Sequence, residues 1–232
     1  MNDALILVVD DEELQLRAAA RTLNNAGYRI AQAGTAERAL QIAQQERPDL
    51  ILIDRVLPDQ DGLQVCQAIK ADPALNQTMV VIMSALKTTS QQQADGLETG
   101  ADGYIARPIS GRELVARVRT FLRLKQANDE LRQREHRLHL LTDHAPAYIA
   151  LVGADDLRYR FVNARYEAGF GVSRNEIIGQ PVCEVIGAEN YAVAVPYIER
   201  ARAGEQVSYE NTFDLEQGQR WIRISYVPDV DE

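Results

Sequence analysis

The sequence predicts a doubly wound α/β domain, followed by a polar helix and a smaller α+β domain. Three observations carry this reading. Over residues 1–122, short runs that are apolar at every position alternate with helical stretches; residues 123–145 contain neither Gly nor Pro; and beyond Pro146 the pattern changes to short strands, short helices and a hairpin. Strands apolar on both faces belong to a parallel sheet covered by helices on both sides. Five strand–helix units in succession make such a sheet doubly wound.

The elements follow in order. Ala4 to Val9 (ALILVV) is the first apolar run, and Leu14 to Ala26 has helical character up to Gly27. Tyr28 to Ala33 is a short strand, and Ala36 to Gln45 a helix. Leu50 to Ile53 (LILI) is apolar throughout, and the helix over Leu63 to Ala71 is closed by Asp72-Pro73. Met79 to Met83 (MVVIM) makes the fourth run, with a helix expected over Gln91 to Thr99 before Gly100. Gly103 to Ala106 is the fifth strand, and Gly111 opens a helix that runs on through residues 123–145. In the last segment, Tyr148 to Val152 and Tyr159 to Val162 are strands around the Ala154-Asp155-Asp156 turn. Helix begins after Asn163, and Ser173-x-x-Glu176 is a capping box for a short helix ended by Gly179. A longer helix from about Tyr191 to Ala203 stops at Gly204. Val207 to Leu215 and Arg220 to Val227 form a hairpin across Gln217-Gly218. The domains are therefore expected at 1–122 and 146–232, joined by a helical linker at 123–145.

Composition limits the function classes. The 232 residues are 46% hydrophobic and 25% charged, which excludes a disordered or collagen-like chain. A net charge of −9 argues against a non-specific nucleic-acid grip, which needs a basic surface. That charge is unevenly placed: residues 1–122 carry 12 basic and 16 acidic side chains, 123–145 carry 5 and 4, and 146–232 carry 8 and 14. No apolar run approaches the ~20 residues of a membrane span, and Asn2-Asp3 is unlike a signal peptide's basic start. Cys66 and Cys183 lie far apart without metal-ligand spacing and read as reduced thiols. A cytoplasmic protein without nucleic-acid or membrane partners in this chain is expected.

Ligands of such sheets bind beyond the carboxyl ends of the strands. Asp10 and Asp11 end the first run, Asp54 the third, Ser84 the fourth, and Arg107 follows the fifth. Asp11 could instead cap the helix beginning near Leu14. In order and spacing, LVVDDEE, LILIDRVLPDQDG, VIMSA and YIARPI resemble the receiver domain of two-component response regulators, over about residues 4–122. The resemblance implies a flavodoxin-like fold with strand order 2-1-3-4-5. That order makes the first and third strands neighbours and brings three carboxylates together. Unpaired, they would repel one another and raise their pKa values; a divalent cation relieves this, and Mg²⁺ is the usual partner of one or two carboxylates plus a phosphate.

The resemblance further implies Asp54 as phosphoacceptor, attacking the phosphorus of a phosphohistidine on a histidine kinase or phosphotransfer protein, or of a small acyl phosphate. It implies Asp10, Asp11, Asp54 and the Val56 carbonyl as Mg²⁺ ligands, Ser84 as a phosphoryl contact, and Tyr104 as a switch residue, although a Tyr in an edge strand is also ordinary packing. Arg107 departs from the pattern, because the family carries a lysine there. Arginine keeps the charge but is planar, bulkier and forked, so it either serves as the phosphate contact or impairs phosphorylation and switching. With 3 Lys against 22 Arg in the chain, compositional bias could explain the exchange. A receiver-like scaffold that works by dimerisation and docking, without phosphorylation, is the alternative.

Leu124, Leu131 and Leu138 recur every seven residues, with Phe121, Asn128, Glu135 and Thr142 at the companion positions. Leu at d with one Asn at a is a device of parallel two-stranded coiled coils, so a parallel homodimer through this helix is expected. Three of the four a positions are polar, and a solvated spacer helix is the other reading. His136, His139 and His144 read as surface side chains.

The run FVNARYEAGFGVSRNEIIGQPV resembles a PAS sensor domain, over about residues 138–227. Tyr166, Tyr191, Tyr209 and Trp221 are expected in an aromatic core rather than around a ligand. The resemblance implies a five-stranded sheet whose last strand lies between the first and fourth. Glu232 follows Val227 by five residues, so that strand is expected to be missing, leaving an edge open to another chain. Receiver–PAS pairs resemble the front ends of sensor kinases and cyclic-dinucleotide enzymes, but no kinase or cyclase signature occurs here. No enzymatic activity is expected of these residues, and the output is expected elsewhere.

Overall fold

The computed structural model describes residues 3–85, 100–215 and 218–229. The chain divides into two compact units, one ending at Leu131 and the other starting at Arg132. The first contains β1 (Leu5–Val9), α1 (Glu13–Asn25), β2 (Arg29–Ala33), α2 (Ala36–Glu46), β3 (Leu50–Asp54), α3 (Gly62–Ala71), β4 (Met79–Ala85), β5 (Gly103–Arg107) and the first turns of α4 (Gly111–Asp143). The expected helix over Gln91–Thr99 lies outside the described residues. The strands form one parallel sheet in the order β2-β1-β3-β4-β5, with Ile6–Val9 of β1 registered on Leu50–Ile53 of β3.

Both faces of that sheet are covered, which is why its inner strands β1, β3 and β4 are apolar up to their carboxyl ends, while the edge strand β2 carries Arg29 and Gln32. Leu7, Val9, Ile51, Ile53, Val80 and Ile82 pack on Ala39, Ile42 and Ala43 of α2 and on Val65, Cys66 and Ile69 of α3. The alternate residues, Ile6, Val8, Leu50, Leu52, Val81, Met83 and Ile105, pack on Leu23 of α1 and on Leu114 and Val118 of α4. Burial also pushes the Cys66 thiol up to about 11, so it serves as a core side chain.

In α4, Leu124, Leu131 and Leu138 are all at least half exposed. Phe121 instead packs against the core, its ring lying where a Cβ on Gly103 would stand. Lys125 reaches Asp129 at 2.5 Å and Asp49 at 3.5 Å, so the receiver-side packing of α4 continues past residue 122.

The second unit holds β6 (Ala150–Val152) antiparallel to β7 (Tyr159–Val162), four helices, α5 (Ala164–Phe170), α6 (Arg174–Ile177), α7 (Val182–Ile186) and α8 (Ala188–Arg202), and a hairpin of β8 (Val207–Leu215) and β9 (Gly218–Tyr226). The capping box is present, with the Glu176 carboxylate accepting from Ser173 N at 3.1 Å. Strand β6 starts later than expected, because Tyr148 turns its ring onto Gly169 and edge-on to Tyr166 and Phe170. Tyr166 and Tyr209 are buried and Tyr191 partly so, but Trp221 is 77% exposed. Trp221 sits in β9, whose residues are mostly exposed. It therefore belongs to neither an aromatic core nor a ligand pocket among the described residues.

Asn163 makes four side-chain hydrogen bonds in this unit. Fully buried, it accepts through Oδ1 from Ile149 N (3.0 Å) and Tyr166 N (3.1 Å), and donates through Nδ2 to the Thr142 (2.7 Å) and Ala147 (2.9 Å) carbonyls. Beside it, Asp143 accepts from Ala164 N at 2.7 Å and pairs with Arg174, and these contacts hold its carboxyl below the usual range.

Candidate functional site

An open pocket of about 1070 Å³ lies at the carboxyl end of the parallel sheet, lined by Asp10, Asp11, Gln15, Asp54, Val56, Ser84 and Arg107 among others. The strands place these groups. Asp54 is the last residue of β3, registered on Met83 of β4, and Ser84 pairs with Ala106 of β5 one step before Arg107. The loop after β3 folds back tightly: Gly62 N donates to Arg55 O at 2.8 Å, and a Cβ on Gly62 would stand 2.3 Å from the Asp54 carbonyl. Only glycine fits there, and the close approach fixes the backbone that carries Asp54.

Asp10 is 1% exposed. Its Oδ1 accepts from Glu12 N at 2.9 Å, while Oδ2 lies 2.5 Å from Arg107 Nη2 without the alignment of a hydrogen bond. Asp54 accepts from Val56 N through Oδ2 at 3.0 Å and faces Arg107 Nη1 through Oδ1 at 3.2 Å. Burial raises the Asp54 carboxyl above the usual carboxylate value; the Val56 bond and Arg107 oppose this, and the Asp10 and Asp11 charges reinforce it. Arg107 is held on two further sides, Nη1 donating to Gln15 Oε1 at 2.6 Å and Nη2 to Met83 Sδ at 3.3 Å.

The expected site residues Asp10, Asp11, Asp54, Val56, Ser84 and Arg107 thus meet around one pocket. Tyr104 packs against the α2- and α3-side core instead. The N-cap of α1 is Glu12 rather than Asp11, which leaves the exposed Asp11 carboxylate to the pocket. Asp59 caps a helix: its two oxygens accept from Ala36 N (2.9 Å) and Glu37 N (3.0 Å) at the start of α2, and those bonds hold its carboxyl below the usual range. Gln15 and Met83 are pocket residues in contact with Arg107 that sequence reasoning missed. Of the two, Gln15 carries the polar contact. It stands one helical turn beyond Asp11, and a guanidinium, with five donors, calls for more acceptors than an ammonium does.

Among the described residues, no three Asp, Glu, His or Cys side chains form a ready-made metal cage. The pocket nevertheless fits Mg²⁺, an ion that is usually bound by one or two carboxylates and keeps several waters. Asp10 Oδ2, buried and without a hydrogen bond, is the kind of hard oxygen donor such an ion takes.

Residues 6–119 match the family model of the response regulator receiver domain, and residues 142–232 match a PAS fold. Residues 6–119 belong to the response regulator receiver domain family. Response regulator PleD of Caulobacter vibrioides is 40% identical to the receiver chain over 132 residues, which cover 57% of this chain and 29% of PleD. The alkaline phosphatase synthesis transcriptional regulatory protein PhoP of Bacillus subtilis is 35% identical over 153 residues, 62% of each chain. This chain thus spans less than two thirds of either relative. A solved structure from Chloroflexus aurantiacus, assigned as a response regulator, superposes on 52% of this receiver chain and 98% of its own, with a TM-score of 0.50 and 30% identity. The receiver therefore carries a PAS fold after its long helix. Receiver and PAS domains are signalling modules, and no helix among the described residues is long and apolar enough to cross a membrane.

Proposed function

We propose that the receiver is a phosphoacceptor in which Asp54 takes a phosphoryl group from the phosphohistidine of a histidine kinase or phosphotransfer protein. The observation that carries this is the placement of Asp54 at the pocket floor, one oxygen fixed by Val56 N and the other facing the Arg107 guanidinium. An Asp54 oxygen attacks phosphorus, the P–N bond breaks, and its electron pair leaves with the imidazole; with acetyl phosphate, acetate leaves. Asp10, Asp11, Asp54 and the Val56 carbonyl would hold Mg²⁺, which supplies neutralisation of charge on the transferring group. Ser84, at the end of β4, bonds a phosphoryl oxygen, Arg107 exchanges carboxylate partners for phosphoryl oxygens, and Tyr104, whose ring already packs on the core, acts as the switch residue.

The division we propose is a receiver at 1–122, a linker at 123–145 and a PAS domain at 146–232 in a cytoplasmic protein. Exposed Leu124, Leu131 and Leu138 support a parallel homodimer through α4. Phe121 is taken up by the receiver core, so the seam begins at Leu124. Output belongs to other parts of the parent protein, a histidine kinase or a cyclic-dinucleotide enzyme by resemblance of the domain order. Incubation with Mg²⁺ and acetyl phosphate tests the phosphoacceptor reading: intact mass rises by one phosphoryl group, and Asp54→Asn abolishes the gain.

A further inference from the structure

The Arg107 guanidinium bridges groups from four elements: Asp10 after β1, Gln15 in α1, Asp54 in β3 and Met83 in β4. A planar fork with five donors can hold these partners at once, whereas an ammonium is a compact point charge. The acidic pocket thereby carries its own cation. Asp10 is 1% exposed, and the oxygen best suited to a metal, its Oδ2, is the one that Arg107 Nη2 approaches to 2.5 Å. A guanidinium and a divalent ion cannot both stand against that oxygen.

We propose that Gln15 is a positioning residue that locks Arg107 in the carboxylate cluster, so that Mg²⁺ binds only by displacing the guanidinium. This rests on the reading of the pocket as a Mg²⁺-dependent phosphoacceptor site. Gln15 Oε1 is a neutral acceptor on the pocket wall, 2.6 Å from Nη1, and it adds a bond to the docked guanidinium without adding charge that would attract a metal. The cost of breaking that bond is subtracted from the Mg²⁺ affinity. Once displaced, the fork is free to meet phosphoryl oxygens bidentately.

The test is a calorimetric titration of the full chain with MgCl₂ in phosphate-free buffer. A hydrogen bond to a charged group supports an effect of about tenfold, so Gln15→Ala binds Mg²⁺ about tenfold more tightly than the unaltered chain. Alanine at this helical position preserves the fold. Arg107→Gln also tightens binding, and adding Gln15→Ala to it changes nothing further, because the bond is already gone. Equal or weaker affinity for Gln15→Ala, or the same gain in the Arg107→Gln background, overturns the lock. Asp11→Asn separates the two levels: if the unaltered chain binds Mg²⁺ and Asp11→Asn does so equally well, or if no chain binds it, the pocket reading falls and the lock falls with it.

Discussion

Arg107 Nη2 stands 2.5 Å from the buried Asp10 Oδ2, and that pair sets the electrostatics of the receiver pocket. The two side chains are 17% and 2% exposed, so neither charge is well hydrated. Removing one partner of a buried ion pair strands the other.

Arg107→Ala therefore destabilises the receiver by about 3 kcal/mol in metal-free buffer. Urea unfolding followed by circular dichroism measures this, and MgCl₂ recovers part of the loss by neutralising Asp10. Equal stability in EDTA would show that Asp10 needs no compensating cation.

Asp54 is raised above the usual carboxylate value by burial, with Asp10 and Asp11 adding to the shift. The folded state thus holds its proton more tightly than the unfolded one. The resulting stabilisation is full below the ordinary Asp value and is lost as pH rises through the raised one. Asp54→Asn accordingly raises the melting temperature at pH 7 in metal-free buffer, and the gain shrinks on acidification. Calorimetry across pH 3 to 7 checks the sign.

Asn163→Ala removes four hydrogen bonds from a fully buried side chain and costs about 3 kcal/mol in the PAS unit. Hydrogen exchange reads the loss at Ile149 and Tyr166, with the amides of the parallel sheet unchanged.

Leu131→Asp places a charge in the proposed α4 seam. Burying a leucine contributes about 1.5–3 kcal/mol, so the substitution weakens the dimer about tenfold or more. Light scattering against concentration reports it; a chain that is monomeric before substitution removes the seam.

The parallel sheet was legible because its doubly covered inner strands β1, β3 and β4 leave no polar position before their carboxyl ends, and Asp10, Asp54 and Arg107 stand at strand ends where the chain must turn. What the residues did not show were choices among acceptors. Asp59 looks like one more pocket acid, yet it caps a helix 22 and 23 residues earlier in the chain. Gln15 looks like a surface residue of α1 until β5 brings Arg107 to it across 92 positions. Trp221 reads as core by its size, but strand alternation assigns no face until a partner layer is known.

Phosphoryl transfer to Asp54 is the claim on which the rest depends, and intact-mass measurement after incubation with Mg²⁺ and acetyl phosphate tests it most directly. The chain is predicted to gain one phosphoryl group, and neither Asp54→Asn nor an EDTA-treated sample gains any. A folded chain that gains no mass, or an Asp54→Asn chain that gains as much as the original, would contradict it.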